Sequence, residues 1–185
     1  MARGRLVIIS GPSGVGKSTL AAELLKRRPS LAIVPSWTTR APRPGDGTGK
    51  LYRFVKRTEF EAHREADGFL ESAQVHGELY GTPGAEVEEM LDRGKDVLLE
   101  IDVQGARQVK AKRPDALSIF VGPPSWDELV ARLERRGTED AEGLRRRLET
   151  ARRELEEAPR FDHQVVNEDL ERAVEEVDRI LGSQP

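Results

Sequence analysis

Gly11-x-x-x-x-Gly16-Lys17-Ser18 places glycines, an ammonium and a hydroxyl at fixed spacing within eight residues. Glycines let a backbone turn tightly, so successive N–H groups point inward and form a ring for phosphate oxygens. A helix that starts near Lys17 adds its positive dipole end to that ring. Lys17 reaches the β- and γ-phosphates of a nucleotide, and the Ser18 hydroxyl is a Mg²⁺ ligand. The pattern predicts nucleoside triphosphate contacts from Gly11, Pro12, Ser13, Gly14, Val15, Gly16, Lys17, Ser18 and Thr19.

The elements that must hold this loop are legible on both sides of it. Leu6-Val7-Ile8-Ile9 is a short apolar run that reads as a buried strand. After the loop, Leu20, Leu24 and Leu25 share one helical face. Further buried runs occur at Val97-Leu98-Leu99-Glu100-Ile101, Leu117-Ser118-Ile119-Phe120-Val121 and Gln164-Val165-Val166. Helical stretches follow them at about 103–112, 125–136 and 168–181. Such alternation predicts an α/β fold with a parallel sheet covered by helices. Ser125-Trp126-Asp127-Glu128 and Thr58-Glu59-Phe60-Glu61 both have capping-box spacing. Residues 36–57, rich in proline, glycine and charge, read as loop; residues 137–160, dense in Arg and Glu, read as lightly packed helices.

Length and composition narrow the function. The 185 residues amount to one domain at roughly 100–200 residues each. With no cysteine, disulfide scaffolds, thiolate metal sites and cysteine nucleophiles are excluded. No apolar run approaches the ~18 residues of a membrane span, and no signal-peptide core is evident, so a cytoplasmic protein without membrane contacts is expected. Thirty basic and thirty-three acidic side chains leave a net charge of −3, which argues against a general nucleic-acid binder. Yet residues 126–160 hold nine arginines, and residues 36–57 hold six basic side chains against the single acid Asp46. Local basic zones on a slightly acidic chain suit a small phosphorylated ligand. A GTPase switch would carry an Asn-Lys-x-Asp element, but Asn167 is the only asparagine. A kinase with a small acceptor is the reading that remains.

Beyond the phosphate loop, several segments resemble those of guanylate kinases. They are Val34–Gly45 (VPSWTTRAPRPG), Gly68–Thr82 (GFLESAQVHGELYGT), Leu99–Ala106 (LEIDVQGA), the Arg-Arg-Gly-Thr of residues 135–138, and Val165–Leu170 (VVNEDL). The resemblance runs in order from about residue 5 to 181. It implies a P-loop core at about 1–35, 86–125 and 161–185, a GMP-binding region at about 36–85 and a helical lid at about 126–160.

It also implies roles. Arg40, Arg43, Tyr52 and Tyr80 are expected to hold the GMP phosphate, the two arginines with forked donors. Guanine presents N1–H and N2–H₂ as donors and O6 and N7 as acceptors. Glu71 and Asp102 suit the donor edge; Ser36 and Thr82 suit the acceptor edge. Glu100 stands where the family commonly has aspartate and is expected, with Ser18, to position Mg²⁺. Leu79 replaces a tyrosine often found beside Tyr80. Arg132, Arg136 and Arg147 are expected to close over the triphosphate and, with Lys17 and Arg40, to serve catalysis. Asn167 is expected near the adenine of ATP, whereas Arg145, Arg146, Arg152 and Arg153 read as an ion-paired exposed face. The implied reaction is ATP plus GMP to ADP plus GDP, with dGMP as a further acceptor, by a monomer or small homo-oligomer.

Two rivals fit less well. Kinase-like modules that bind phosphopeptides lack a working phosphate loop and lid arginines. A kinase of ribose bisphosphates has no use for Ser36, Glu71, Thr82 and Asp102 as a guanine-reading set.

Overall fold

A computed structural model describes residues 2–42, 51–75, 77–135 and 141–183. In chain order the elements begin with β1 (Leu6–Ser10), α1 (Lys17–Arg27), β2 (Leu31–Ile33), β3 (Ser36–Thr38), β4 (Tyr52–Phe54), α2 (Arg57–Glu65), β5 (Phe69–Val75) and β6 (Glu78–Pro83). They continue with α3 (Gly84–Asp92), β7 (Asp96–Glu100), α4 (Val103–Lys112), β8 (Leu117–Gly122), α5 (Trp126–Arg135), α6 (Ala141–Glu156), β9 (His163–Val166) and α7 (Leu170–Ser183). A 3₁₀ turn, Ala158–Arg160, separates α6 from β9.

Contacts divide the chain into two compact units. The first comprises Met1–Val7, Pro29–Leu99 and Gln104–Leu117; the second comprises Ile8–Arg28, Glu100–Val103 and Ser118–Pro185. A five-stranded sheet has the order β2-β7-β1-β8-β9. In the first unit β2 runs parallel to β7, with Leu31 opposite Asp96 and Ile33 opposite Leu98. In the second, β8 runs parallel to β9, with Ile119 opposite His163 and Gly122 opposite Val166. All five residues of β1 are buried, as are Val97, Leu98 and Leu99 of β7 and Ser118–Val121 of β8. Apolar runs without alternation are what a parallel sheet covered on both faces requires.

The first unit also holds a four-stranded sheet, β4-β3-β6-β5. Here β3 is parallel to β4 and antiparallel to β6, while β5 and β6 pair antiparallel. Beneath it Trp37, Phe60, Phe69 and Leu79 form a small buried core. Leu79, the residue in place of a tyrosine, is therefore a core side chain.

Two local expectations need correction. Residues 36–57 are not all loop, since β3 and β4 lie at the two ends of that stretch. Three-residue strands flanked by proline, glycine and charge have too little periodicity to register; their partners are distant in sequence. Thr58 does not cap α2 either. The helix starts at Arg57 after Lys56, and no side-chain hydrogen bond caps it. At the other box the Glu128 N–H does donate to the Ser125 hydroxyl, at 3.2 Å.

Candidate active site: donor and acceptor residues

The loop between β1 and α1 takes the shape its glycines allow. Gly11 and Gly16 have φ of 142° and 92°, a region side chains rarely adopt. A Cβ at Gly11 would lie 2.1 Å from the Val121 carbonyl oxygen, and one at Gly16 would lie 2.6 Å from Asn167 Nδ2. Both positions exclude any larger residue. Lys17 folds back over the loop, its Nζ donating to the carbonyls of Gly11 at 2.5 Å and Pro12 at 2.9 Å. At the head of α1 the Ser18 hydroxyl donates to Glu100 Oε1 at 2.6 Å.

Glu100 closes β7, where burial pushes its carboxyl above the ordinary carboxylate range despite the opposing pull of Lys17 and the Ser18 hydroxyl. Its Oε2 is buried and has no hydrogen-bond partner among the described residues. A hydroxyl and a carboxylate side by side, one oxygen lacking a donor, match what Mg²⁺ takes from a protein when phosphates and water complete its shell. The longer side chain in place of aspartate still reaches Ser18.

Asn167 sits at the end of β9 with only 6% of its surface exposed. Its Nδ2 donates to the Val15 carbonyl at 2.6 Å. Its backbone N–H donates to Gly122 at 2.8 Å. Its carbonyl accepts from Arg132 Nη1 at 3.1 Å. The side chain expected near adenine is thus bonded to the phosphate loop. Arg132 is held on α5 by Glu128, four residues earlier, at 3.0 Å. The hydrogen bond from Arg132 draws the Glu128 carboxyl below its usual range.

On α6, Arg147 and Ala151 form the buried face. Arg145 and Arg146 pair with Glu149 and Glu142 on the exposed face, as expected. Arg152 instead stacks over the Trp126 ring, 4.6 Å from its centroid. Arg136 lies outside the described residues.

The first unit carries the acceptor candidates. Glu71 and Thr82 are 3% and 0% exposed, opposite one another on β5 and β6. The Thr82 hydroxyl donates to Glu71 Oε1 at 2.6 Å. Expected to face the acceptor edge of guanine, Thr82 instead gives its proton to the carboxylate. Asp102, the other carboxylate of that set, belongs to the second unit, beside Glu154 on α6. Ser36, half-buried on β3, lies opposite Tyr52 of β4, and its N–H donates to the Leu51 carbonyl at 3.0 Å. Arg40 is 8% exposed, its guanidinium 4.9 Å from the Tyr52 ring centroid and 5.3 Å from that of Phe54. Tyr52 and Tyr80 meet edge to face at 6.2 Å. Arg40, Tyr52 and Tyr80 therefore converge, while Arg43 lies outside the described residues.

Three supporting residues escape the sequence reading. The Gln108 amide clamps β5, accepting from the Ser72 N–H at 3.1 Å and donating to the Ser72 carbonyl at 2.8 Å. Thr39 ties β3 to β6, donating to Glu78 at 2.6 Å and accepting from the Leu79 N–H at 2.9 Å. Glu154 of α6 has its carboxyl pushed up to about 7 by burial, opposed by Lys17, reinforced by Asp102 and opposed again by the Ser13 backbone of the phosphate loop. Its one sequence signal is a position seven residues after Arg147 and three after Ala151, on the same face of α6.

Relatives support the same assignment. The guanylate kinase family profile matches residues 3–184. A guanylate kinase of Rhodococcus jostii (strain RHA1) is 50% identical over 99% of this chain and 89% of its own length. One of Rubrobacter xylanophilus is 52% identical over 98% of this chain and 95% of its own. The crystal structure of guanylate kinase from Anaplasma phagocytophilum superposes with a TM-score of 0.82 at 34% identity, covering 98% of this chain and 86% of that one. With a complete phosphate loop on a parallel α/β core, this chain belongs to the guanylate kinase family.

Proposed function

We propose that this chain transfers the γ-phosphoryl group of ATP to GMP, giving ADP and GDP. The observation that carries the guanine acceptor is the buried Glu71–Thr82 pair. A carboxylate is an acceptor matched to N1–H and N2–H₂, and adenine offers it neither. Thr82 holds that carboxylate in place, and Ser36 serves the opposite edge of the base. Asp102 is the second carboxylate assigned to the donor edge of guanine. Arg40, with Arg43, Tyr52 and Tyr80, holds the GMP phosphate.

On the donor side the loop from Gly11 to Thr19 cradles the triphosphate, and Lys17 leaves its loop carbonyls for the β- and γ-phosphates. Ser18 and Glu100 hold Mg²⁺ with the nucleotide, which supplies charge neutralisation on the phosphates. A GMP phosphate oxygen attacks the γ-phosphorus in line. The bond to the β–γ bridging oxygen breaks, and ADP leaves with that electron pair. The attacking phosphate is already ionised at neutral pH, so no general base is assigned. Charge spreads over the equatorial oxygens, where Arg132, Arg136 and Arg147 stabilise it, and lid closure keeps water out. The enzyme acts in the cytoplasm on small-molecule substrates, GMP and dGMP among them, as a monomer or small homo-oligomer.

A coupled assay of ADP release against GMP, dGMP, AMP, CMP and UMP tests the reading. GMP is expected to exceed AMP by roughly 10⁴ or more in kcat/KM. Equal rates with all five would overturn it.

A further inference from the structure

Between Phe69 and Glu71 the pairing of β5 with β6 changes register. Phe69 lies opposite Pro83 and Glu71 opposite Thr82, so two steps along β5 match one along β6. Residues two apart in a regular strand share a face, but this shift puts Phe69 and Glu71 on opposite faces. Phe69 joins the apolar core of Trp37, Phe60 and Leu79. Glu71 takes the face of Thr82 and of Tyr80, two residues earlier on β6. The irregularity therefore decides that the carboxylate stands with the acceptor residues.

Strand β5 is an edge of its sheet, so among the described residues no further strand holds that register from the outer side. Helix α4, from the same compact unit, does so instead. Gln108 accepts from the Ser72 N–H at 3.1 Å and donates to the Ser72 carbonyl at 2.8 Å, as a neighbouring strand would. Four residues later, Lys112 Nζ donates to the carbonyls of Leu70 at 2.8 Å and Phe69 at 3.4 Å. Positions four apart share a helix face, so one face of α4 grips β5 on both sides of Glu71.

We propose that Gln108 and Lys112 are positioning residues for guanine selection, fixing the register shift that turns Glu71 toward the base. The proposal rests on reading Glu71 as the carboxylate that meets guanine. Both side chains act through that carboxylate. A one-residue slip of β5 would exchange the faces of its side chains and take Glu71 away from Thr82. Held by α4, the carboxylate meets N1–H and N2–H₂ without a cost of ordering at the moment of binding.

The test is kcat/KM for GMP and AMP, KM for ATP and thermal unfolding. The proteins are wild type, Gln108→Leu, Lys112→Met, Lys112→Arg, and Glu71→Gln with and without Gln108→Leu. Gln108→Leu keeps most of the bulk but neither bond. It is expected to lower the GMP:AMP ratio about tenfold, with KM for ATP within about twofold of wild type. Lys112→Met is expected to lower the ratio about threefold, and Lys112→Arg, which keeps a donor, to hold it within about twofold. In the Glu71→Gln background, Gln108→Leu should move the ratio by less than about twofold, because the residue it acts through is already altered. A ratio unchanged in both Gln108→Leu and Lys112→Met overturns the proposal. So does a rise in KM for ATP as large as that for GMP, which marks a general loss of structure, or an undiminished effect of Gln108→Leu in the Glu71→Gln background. If Gln108→Leu does not fold, Lys112→Met against Lys112→Arg decides the matter. Wild type without preference for GMP defeats the reading of Glu71 and this proposal together, whereas a preference that both variants keep defeats this proposal alone.

Discussion

Asn167 and Val15, 152 positions apart, are joined by an amide donating to a carbonyl across 2.6 Å. The bond fixes the back of the phosphate loop, and the carbonyl of the same asparagine holds Arg132. Asn167→Ala removes a donor buried with its acceptor, which costs about 1–3 kcal/mol when the acceptor is left without a partner. KM for ATP is expected to rise about tenfold. Assays with ATP, GTP and UTP as donors separate a loop anchor from a base reader: an anchor loses equally with all three, and a reader loses selectivity for ATP.

Lys17→Ala is expected to keep the fold, because the bonds from its ammonium to the Gly11 and Pro12 carbonyls lie within the phosphate loop itself. Turnover should fall by roughly 10²–10³ through loss of a donor to the transferring group. Thermal unfolding and kcat measured on the same preparation check both halves.

Glu71→Gln keeps the size of the side chain and the contact with Thr82, but its amide both donates and accepts. Its kcat/KM for GMP should fall about 10²-fold or more while KM for ATP stays put, and the gap between GMP and AMP should narrow. An unchanged GMP:AMP ratio would show that Glu71 does not read the base.

Glu154 links stability to pH. Its folded carboxyl titrates at about 7 against an ordinary 4.5, so between those values the folded state binds more protons than the unfolded one. Stability therefore falls as pH rises through that window, and the contribution is intact only below it. Glu154→Gln cannot ionise and should raise Tm at pH 8 by about 2–4 °C, with little change at pH 4.5. A gain of the same size at both pH values would contradict this account.

Much of the donor side is legible in one dimension. The phosphate loop is contiguous, its glycines answer to local φ, and its flanking strand and helix carry their own hydrophobic periods. The elements at 96–100, 117–122 and 163–166, with the helices after them, follow from the same local logic. The acceptor candidates Glu71 and Thr82 are nameable only because their segment resembles a family. Their mutual bond depends on the β5–β6 register, which no local signal encodes. Strands β3 and β4 are three residues each and exist because Ser36 pairs with Tyr52 and Trp37 with Gly81, so tertiary pairing decides them.

Residue types also leave open which charges matter on α6. Arg145 and Arg147 are two positions apart and chemically identical, yet one pairs with Glu149 at the surface and the other is buried. Glu154 reads as one more acid in an Arg- and Glu-rich stretch, and only the packing of its helix takes its carboxyl out of water. Identity, local conformation and period are properties of neighbours along the chain, and the order of residues suffices for them. Which carboxylate loses water, which hydroxyl commits its proton and which amide anchors a loop depend on residues tens to hundreds of positions away, and desolvation at those meetings exists only once the chain has folded.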